Sequence, residues 1–217
     1  MTNHEIDHVF EILSSVVNDL KEPIVGRVAR DNDPFKVLVS TMLSLRTKDE
    51  TTEKACTRLF SLAKTPGEMI ALPVAAIEDA IYPVGFYKTK AKNIVETSRI
   101  IVRDHGGRVP STLEDLLRLP GVGRKTANLV VTLGYDKPGI CVDTHVHRIT
   151  NRWGYVSTKT PEQTEMRLRE ILPVRYWKDI NSFLVPYGQY ICRPTSPLCS
   201  RCRIFPLCDR VGVRVSR

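Results

Sequence analysis

Apolar residues recur along this chain at helical spacing. Ile6, Val9, Phe10, Leu13, Val17 and Leu20 make one stripe. Thr2-Asn-His-Glu5 in front of it has the form of a capping box, and Pro23 closes it. Asp33-Pro34 reads as a cap followed by a first-turn proline, and 35–45 is apolar enough for a buried helix. Thr47-Lys-Asp-Glu50 is a second capping-box pattern, opening a helix to about residue 63, where Pro66-Gly67 breaks the chain. Short helical pieces follow at 68–72 and 74–81. A Gly-containing turn at 82–88 leads into a helix over 89–105, with Ile94, Ile101 and Val102 on its apolar side and Gly106-Gly107 at its end. Ser111-Thr-Leu-Glu114 caps the next segment. A helix after Asp143 runs to about Trp153 and stops at Gly154. Thr160-Pro-Glu-Gln163 caps another, ended by Pro173, and 176–190 is the last. No window sustains a period of two with β-branched enrichment. The pattern predicts an all-α protein of about ten helices joined by short turns.

Composition narrows the class. A chain of 217 residues has room for one sizeable core or two small ones. With 42% apolar and 26% charged residues it is an ordinary globular sequence, which excludes a disordered chain. Its 32 basic against 24 acidic residues leave a net charge of +8, which suits a polyanionic partner. The first residues lack the basic and apolar regions of a signal peptide, and no apolar run reaches membrane-spanning length. The expected compartment is the cytoplasm, with thiols reduced and no membrane partner. Four of the six cysteines fall within 192–217, the last 26 residues. In a reducing compartment such crowding points to a metal centre before disulfides.

The chemistry begins at Leu119-Pro-Gly-Val-Gly-Arg-Lys-Thr-Ala127. An amphipathic segment precedes it and a strong helix former over 124–134 follows. Gly121 and Gly123 permit a tight turn around Val122, and the following helix start turns backbone N–H groups outward to a phosphate. Lys125 then has two readings: a phosphate contact, or a nucleophile, since the helix's positive end and the neighbouring Arg124 both favour a free amine. Asp143 likewise reads as a helix cap or as a carboxylate that stabilises a developing cation or moves a proton, and one side chain can do both. His145 and His147 are two apart, a poor metal pair on a helix, so packing or a phosphate contact suits each. Cys192, Cys199, Cys202 and Cys208 follow Cys-x6-Cys-x2-Cys-x5-Cys. A structural zinc usually takes two close pairs. Here only one close pair exists, and an iron–sulfur cubane fits the wider loop better. Cys56 and Cys141 stand in apolar surroundings as small core residues.

The hairpin extended to Asn128, the Val142-Asp-Thr-His145 stretch and the four-cysteine tail occur in one order along nearly the whole chain. Together they resemble the endonuclease III family, bifunctional DNA glycosylase/AP lyases of the helix–hairpin–helix superfamily. The resemblance implies two helical lobes with a cleft between them: a six-helix barrel over about 27–137, and a cluster lobe of 1–26 with 138–217. It makes Lys125 the Schiff-base lysine, Asp143 the catalytic aspartate and Cys192, Cys199, Cys202 and Cys208 the ligands of a [4Fe–4S] cluster. The implied partner is double-stranded DNA with damaged bases, oxidised pyrimidines above all, or abasic sites. The protein would act as a monomer, nucleoid-associated in a prokaryote. Gly121, Val122, Gly123, Arg124 and His145 would contact the DNA backbone. Where the family has a glutamine filling the hole left by an extruded base, this chain has Arg46. Where the family has an apolar wedge, it has Phe86. An arginine is longer, charged and donor-only, so it is expected to favour guanine in the opposite strand.

Three other readings compete. A mismatch adenine glycosylase shares the hairpin and cluster spacing but usually lacks a lysine at position 125 and carries a further C-terminal domain. A thymine or uracil mismatch glycosylase is closer, with Lys125 again arguing for lyase activity. A non-catalytic DNA-binding module would have no use for Lys125 together with Asp143.

Overall fold

The computed structural model describes residues 3–17, 20, 24–28 and 33–217. The Thr2 capping pattern and the Pro23 stop lie outside the described residues. Among those residues the protein is all-α, with no strand.

Contacts divide the chain into two compact units. Among its described residues the unit Ile24–Lys137 holds eight α-helices. They are α2 (Ile24–Val28), α3 (Pro34–Ser44), α4 (Asp49–Leu62), α5 (Pro66–Ala71), α6 (Val74–Ile81), α7 (Tyr87–His105), α8 (Leu113–Leu117) and α9 (Arg124–Leu129), the last continued by a π-helical turn at Val130–Gly134. Helix α3 lies at the centre. Eight of its residues, from Phe35 to Leu43, are buried, and it packs on α2, α4, α7, α9 and the π turn. A helix buried on most sides needs an apolar surface on most sides, as 35–43 has. Asp33 caps it as expected: Oδ1 accepts from Phe35 N at 2.9 Å and Lys36 N at 3.1 Å, with Pro34 in the first turn.

The other unit joins α1 (Asn3–Val17) to Pro138–Arg217, which contains α10 (Thr144–Arg152), α11 (Pro161–Ile171) and α12 (Asp179–Tyr190). Ile6, Val9, Phe10 and Leu13 of α1 are buried, while Val17 and Leu20 are half-exposed. The stripe packs with Val146, Ile149 and Trp153 of α10, Leu168 of α11 and Leu184 and Tyr187 of α12. Thr160 caps α11, its hydroxyl accepting from Gln163 N.

Several local expectations need correction. Thr47 does not cap α4. The cap position is Lys48, which makes no side-chain cap bond, because the Thr47 hydroxyl is engaged elsewhere. Pro66 opens a helix and does not break one. Thr65 and Glu68 form a reciprocal capping box around it. The cap of α8 is Thr112, not Ser111. Val102 is 36% exposed, and the buried face of α7 is Lys90, Ala91, Ile94, Val95, Thr97, Ser98 and Ile101.

Candidate active site and cysteine loop

In the Ile24–Lys137 unit, the turn between α8 and α9 carries the hairpin. Leu119 and Val122 are buried and anchor it, and Val122 N donates to Leu119 O at 3.1 Å to close it. Gly121 adopts φ +74°, and a Cβ there would stand 2.6 Å from Asn93 Nδ2. Glycine suits both the left-handed backbone and the close approach of the Asn93 side chain. Thr97 Oγ1 donates to the Pro120 carbonyl at 3.0 Å, tying the turn to α7. Gly123 is the cap residue of α9, and no side chain caps that helix. Asp33, Thr65, Thr112, Asp143 and Thr160 cap theirs, whereas α4, α6, α7 and α12 also start without a side-chain cap. A helix start without a side-chain acceptor is the arrangement an incoming phosphate completes. Arg124 and Lys125 form its first turn and are half-buried.

Arg46 and Phe86 come together in the same unit. Both take left-handed backbone, φ 53° and 59°. The Arg46 guanidinium carbon lies 5.7 Å from the centre of the Phe86 ring. Phe86 is 64% exposed, which suits a wedge and would be a poor place for a structural phenylalanine.

In the other unit, Asp143 is the cap of α10 and 9% exposed. Its Oδ1 accepts from His145 N at 2.8 Å and Val146 N at 2.9 Å. The cap is made by one carboxylate oxygen, Oδ1. His145 Nδ1 lies 3.0 Å from Arg148 Nη2, so its ring is held by its own helix.

Cys192, Cys199, Cys202 and Cys208 line one pocket with Trp153, Tyr187, Leu198 and the arginines Arg152 and Arg210. No two of the six cysteines form a disulfide. Arg152 Nη1 donates to Cys192 Sγ at 3.4 Å, and Tyr187 Oη is 3.0 Å from Cys202 Sγ. Burial pushes the Cys208 thiol up to about 11 and raises that of Cys202. Among the described residues no three His, Cys, Asp or Glu side chains converge on a point that would hold a single metal ion. A zinc ion, with Zn–S near 2.3 Å, would draw four sulfurs to about 3.8 Å of one another. A cubane takes one thiolate per iron and spreads them further apart, so four thiols around one apolar, cation-flanked pocket fit that donor set. Cys56 and Cys141 are 3% and 2% exposed, core residues as expected.

Residues 39–174 match the model of the HhH-GPD superfamily of base excision DNA repair proteins. Endonuclease III of Thermotoga maritima is 49% identical over 197 residues, covering 89% of this chain and 92% of that protein. The chain belongs to the endonuclease III family. Among solved structures, a non-covalent endonuclease III–DNA complex superposes with TM-score 0.86 at 32% identity, covering 97% of this chain and 96% of the other. A trapped endonuclease III–DNA covalent intermediate gives 0.84 at 31%, covering 97% of each. The chain is thus a base-excision DNA glycosylase and AP lyase, and its macromolecular partner is DNA. Among the described residues no helix is long and apolar enough to cross a membrane.

The residue-level reading of the sequence missed Lys90, Arg148 and Arg152, and gave Thr47 only a capping role and Gly85 only a place in a turn. The only sequence signal for Lys90 was its place on the buried stripe, four residues before Ile94. Arg148 donates to the Cys192 and Gly188 carbonyls at 2.9 and 3.1 Å, and Arg152 to the Arg193 and Pro194 carbonyls at 2.7 and 2.6 Å. These partners are some forty residues away in sequence, beyond any local pattern.

Proposed function

We propose that this chain removes damaged, chiefly oxidised, pyrimidines from duplex DNA and then cuts the strand, with Lys125 as nucleophile and Asp143 as its assisting carboxylate. The observation that carries this is the position of Lys125: first turn of α9, directly after the Gly121–Gly123 turn, on a helix that no side chain caps. That geometry suits an amine presented beside a bound phosphodiester.

The damaged nucleotide is extruded from the stack. Lys125 Nζ forms a bond to C1′, the glycosidic bond breaks, and its electron pair leaves with the base, which takes up a proton. The sugar ring opens as the C1′–Nζ bond becomes an imine. That cation acidifies C2′–H; a base takes the proton and the C3′–O bond breaks, its electron pair leaving with the 3′ phosphate. Water then releases Lys125. Asp143 offsets positive charge on the sugar and helps move protons to and from Lys125. Gly121, Val122, Gly123 and Arg124 hold the backbone, with His145 as a further phosphate contact, while Arg46 fills the vacated space and Phe86 wedges the opposite strand.

Cys192, Cys199, Cys202 and Cys208 would hold a [4Fe–4S] cluster. Such a cluster would cross-link four points of the C-terminal loop and supply the charge that keeps buried thiols ionised. In this reading the two units are the family's barrel and cluster lobes, and the protein works as a cytoplasmic monomer.

The test is borohydride reduction on a duplex with one abasic site. The wild type should form a covalent adduct that Lys125→Ala does not, and no adduct with the wild type would overturn the lyase reading. Iron and sulfide content of the same preparation should be about four each per chain; a colourless zinc-loaded protein would refute the cluster.

A further inference from the structure

Lys90 is a lysine on the buried face of α7, only 8% exposed. Its Nζ donates to the Leu43 carbonyl at 2.8 Å, the Leu45 carbonyl at 2.6 Å and Thr47 Oγ1 at 3.3 Å. All three ammonium hydrogens are thereby used. Three oxygen acceptors suit an ammonium, and among the described residues the influence on its titration is burial alone, which pushes it down to about 8. Leu43 lies in the last turn of α3 and Leu45 is its C-cap residue, and the last carbonyls of a helix lack a partner within it and favour a cation.

The same residue reaches the second turn through its backbone. Lys90 N donates to the Phe86 carbonyl at 3.0 Å, the first bond of α7 after the left-handed Phe86. One residue therefore bonds the carbonyl just before Arg46 and that of Phe86 itself. Two further features join these turns. Thr47 Oγ1 accepts from Gly85 N at 3.2 Å across 38 residues. A Cβ on Gly85 would stand 2.8 Å from the Arg46 carbonyl oxygen, so the turns approach as closely as they do only because residue 85 lacks one.

We infer that Lys90 is a positioning residue for lesion recognition: its buried ammonium, with Thr47 and Gly85, locks the turn carrying Arg46 to the turn carrying Phe86 so that both enter DNA as one rigid element. This rests on the reading of Arg46 and Phe86 as the residues that enter the helix. Left-handed backbone at both tips is strained for a non-glycine residue and persists only where its surroundings hold it. An unlocked pair of tips would have to be ordered on binding, which weakens recognition of the gapped site while leaving contacts to the DNA backbone alone.

The experiment compares affinity for an intact duplex and for the same duplex with one tetrahydrofuran abasic analogue, with 2-aminopurine opposite the analogue to report unstacking. Lys90→Met keeps the length of the side chain and removes the ammonium. It should lower the abasic-to-intact affinity ratio at least tenfold and reduce the 2-aminopurine signal, with intact-duplex affinity unchanged. Thr47→Val deletes only the shared hydroxyl and should shift both readouts in the same direction by a smaller factor, so a Lys90 variant that fails to fold does not end the test. Ratio and signal at wild-type values in folded Lys90→Met, or in Thr47→Val where the lysine variant does not fold, would overturn the inference. Arg46→Ala and Phe86→Ala separate the two ideas. If neither lowers the ratio, the assignment of the tips fails and the inference falls with it. If both lower it and Lys90→Met does not, only the positioning role of Lys90 fails.

Discussion

The Arg46 guanidinium lies over the exposed Phe86 ring at 5.7 Å, although the two residues are forty positions apart and sit on different turns. The ring's negative face attracts the cation and steadies a long side chain that would otherwise sweep freely. The same arginine is donor-only, so in duplex DNA it matches bases that offer acceptors, guanine above all.

That pairing predicts an opposite-base preference. Excision of one lesion placed opposite each of the four bases should favour guanine. Arg46→Gln should flatten the profile by roughly fivefold or more, since a good bidentate contact discriminates by about 1–3 kcal/mol. Identical profiles for the two proteins would remove the proposed role of Arg46.

Asp143 caps α10, the proposed function gives it a part in the chemistry as well, and substitution separates the two tasks. Asparagine caps about as well as aspartate but carries no charge. Asp143→Asn should therefore unfold within about 0.5 kcal/mol of wild type, whereas Asp143→Ala should lose about 1 kcal/mol. Both should reduce single-turnover strand cleavage by about a hundredfold or more, the usual scale of lost acid–base assistance. Full activity in a folded Asp143→Asn protein would leave the residue as a cap alone.

His147 carries a pH dependence. Its Nδ1 stands 2.7 Å from Thr164 Oγ1 and 3.3 Å from Asn151 Nδ2. Asn151 Oδ1 accepts from Thr158 N at 2.9 Å, which turns the amide's donor side toward the imidazole. Nδ1 is therefore an acceptor, and burial holds the group below its ordinary value. Below about pH 6.5 the unfolded chain binds a proton that the folded chain resists, so stability falls as pH drops through that range. His147→Gln should show a shallower loss between pH 7 and 5 in denaturant titrations. Equal slopes for the two proteins would refute this.

Much of the architecture was legible in the chain because it rests on local rules. The apolar stripe of α1, the buried run of α3, the caps Asp33, Asp143 and Thr160 and the sharp turn at Gly121 all depend on neighbours within a few residues. The hairpin, the Asp143 stretch and the cysteine spacing carried the family resemblance for the same reason: each is a short segment whose residues stand close together in the chain.

Other features were decided only in three dimensions. Thr47 has the sequence of a helix cap, but its hydroxyl is taken by Gly85 N and Lys90 Nζ, partners 38 and 43 residues away, and the helix starts uncapped. Lys90 looks like an ordinary lysine on an amphipathic helix, yet the orphan carbonyls at the end of α3 give its ammonium enough acceptors to stay buried. Local sequence sets which hydrogen-bonding groups exist and which helix faces are apolar. Packing alone sets which of those groups meet, and there the short-range preference of a hydroxyl or an ammonium gives way to acceptors that only the assembled helices bring within reach.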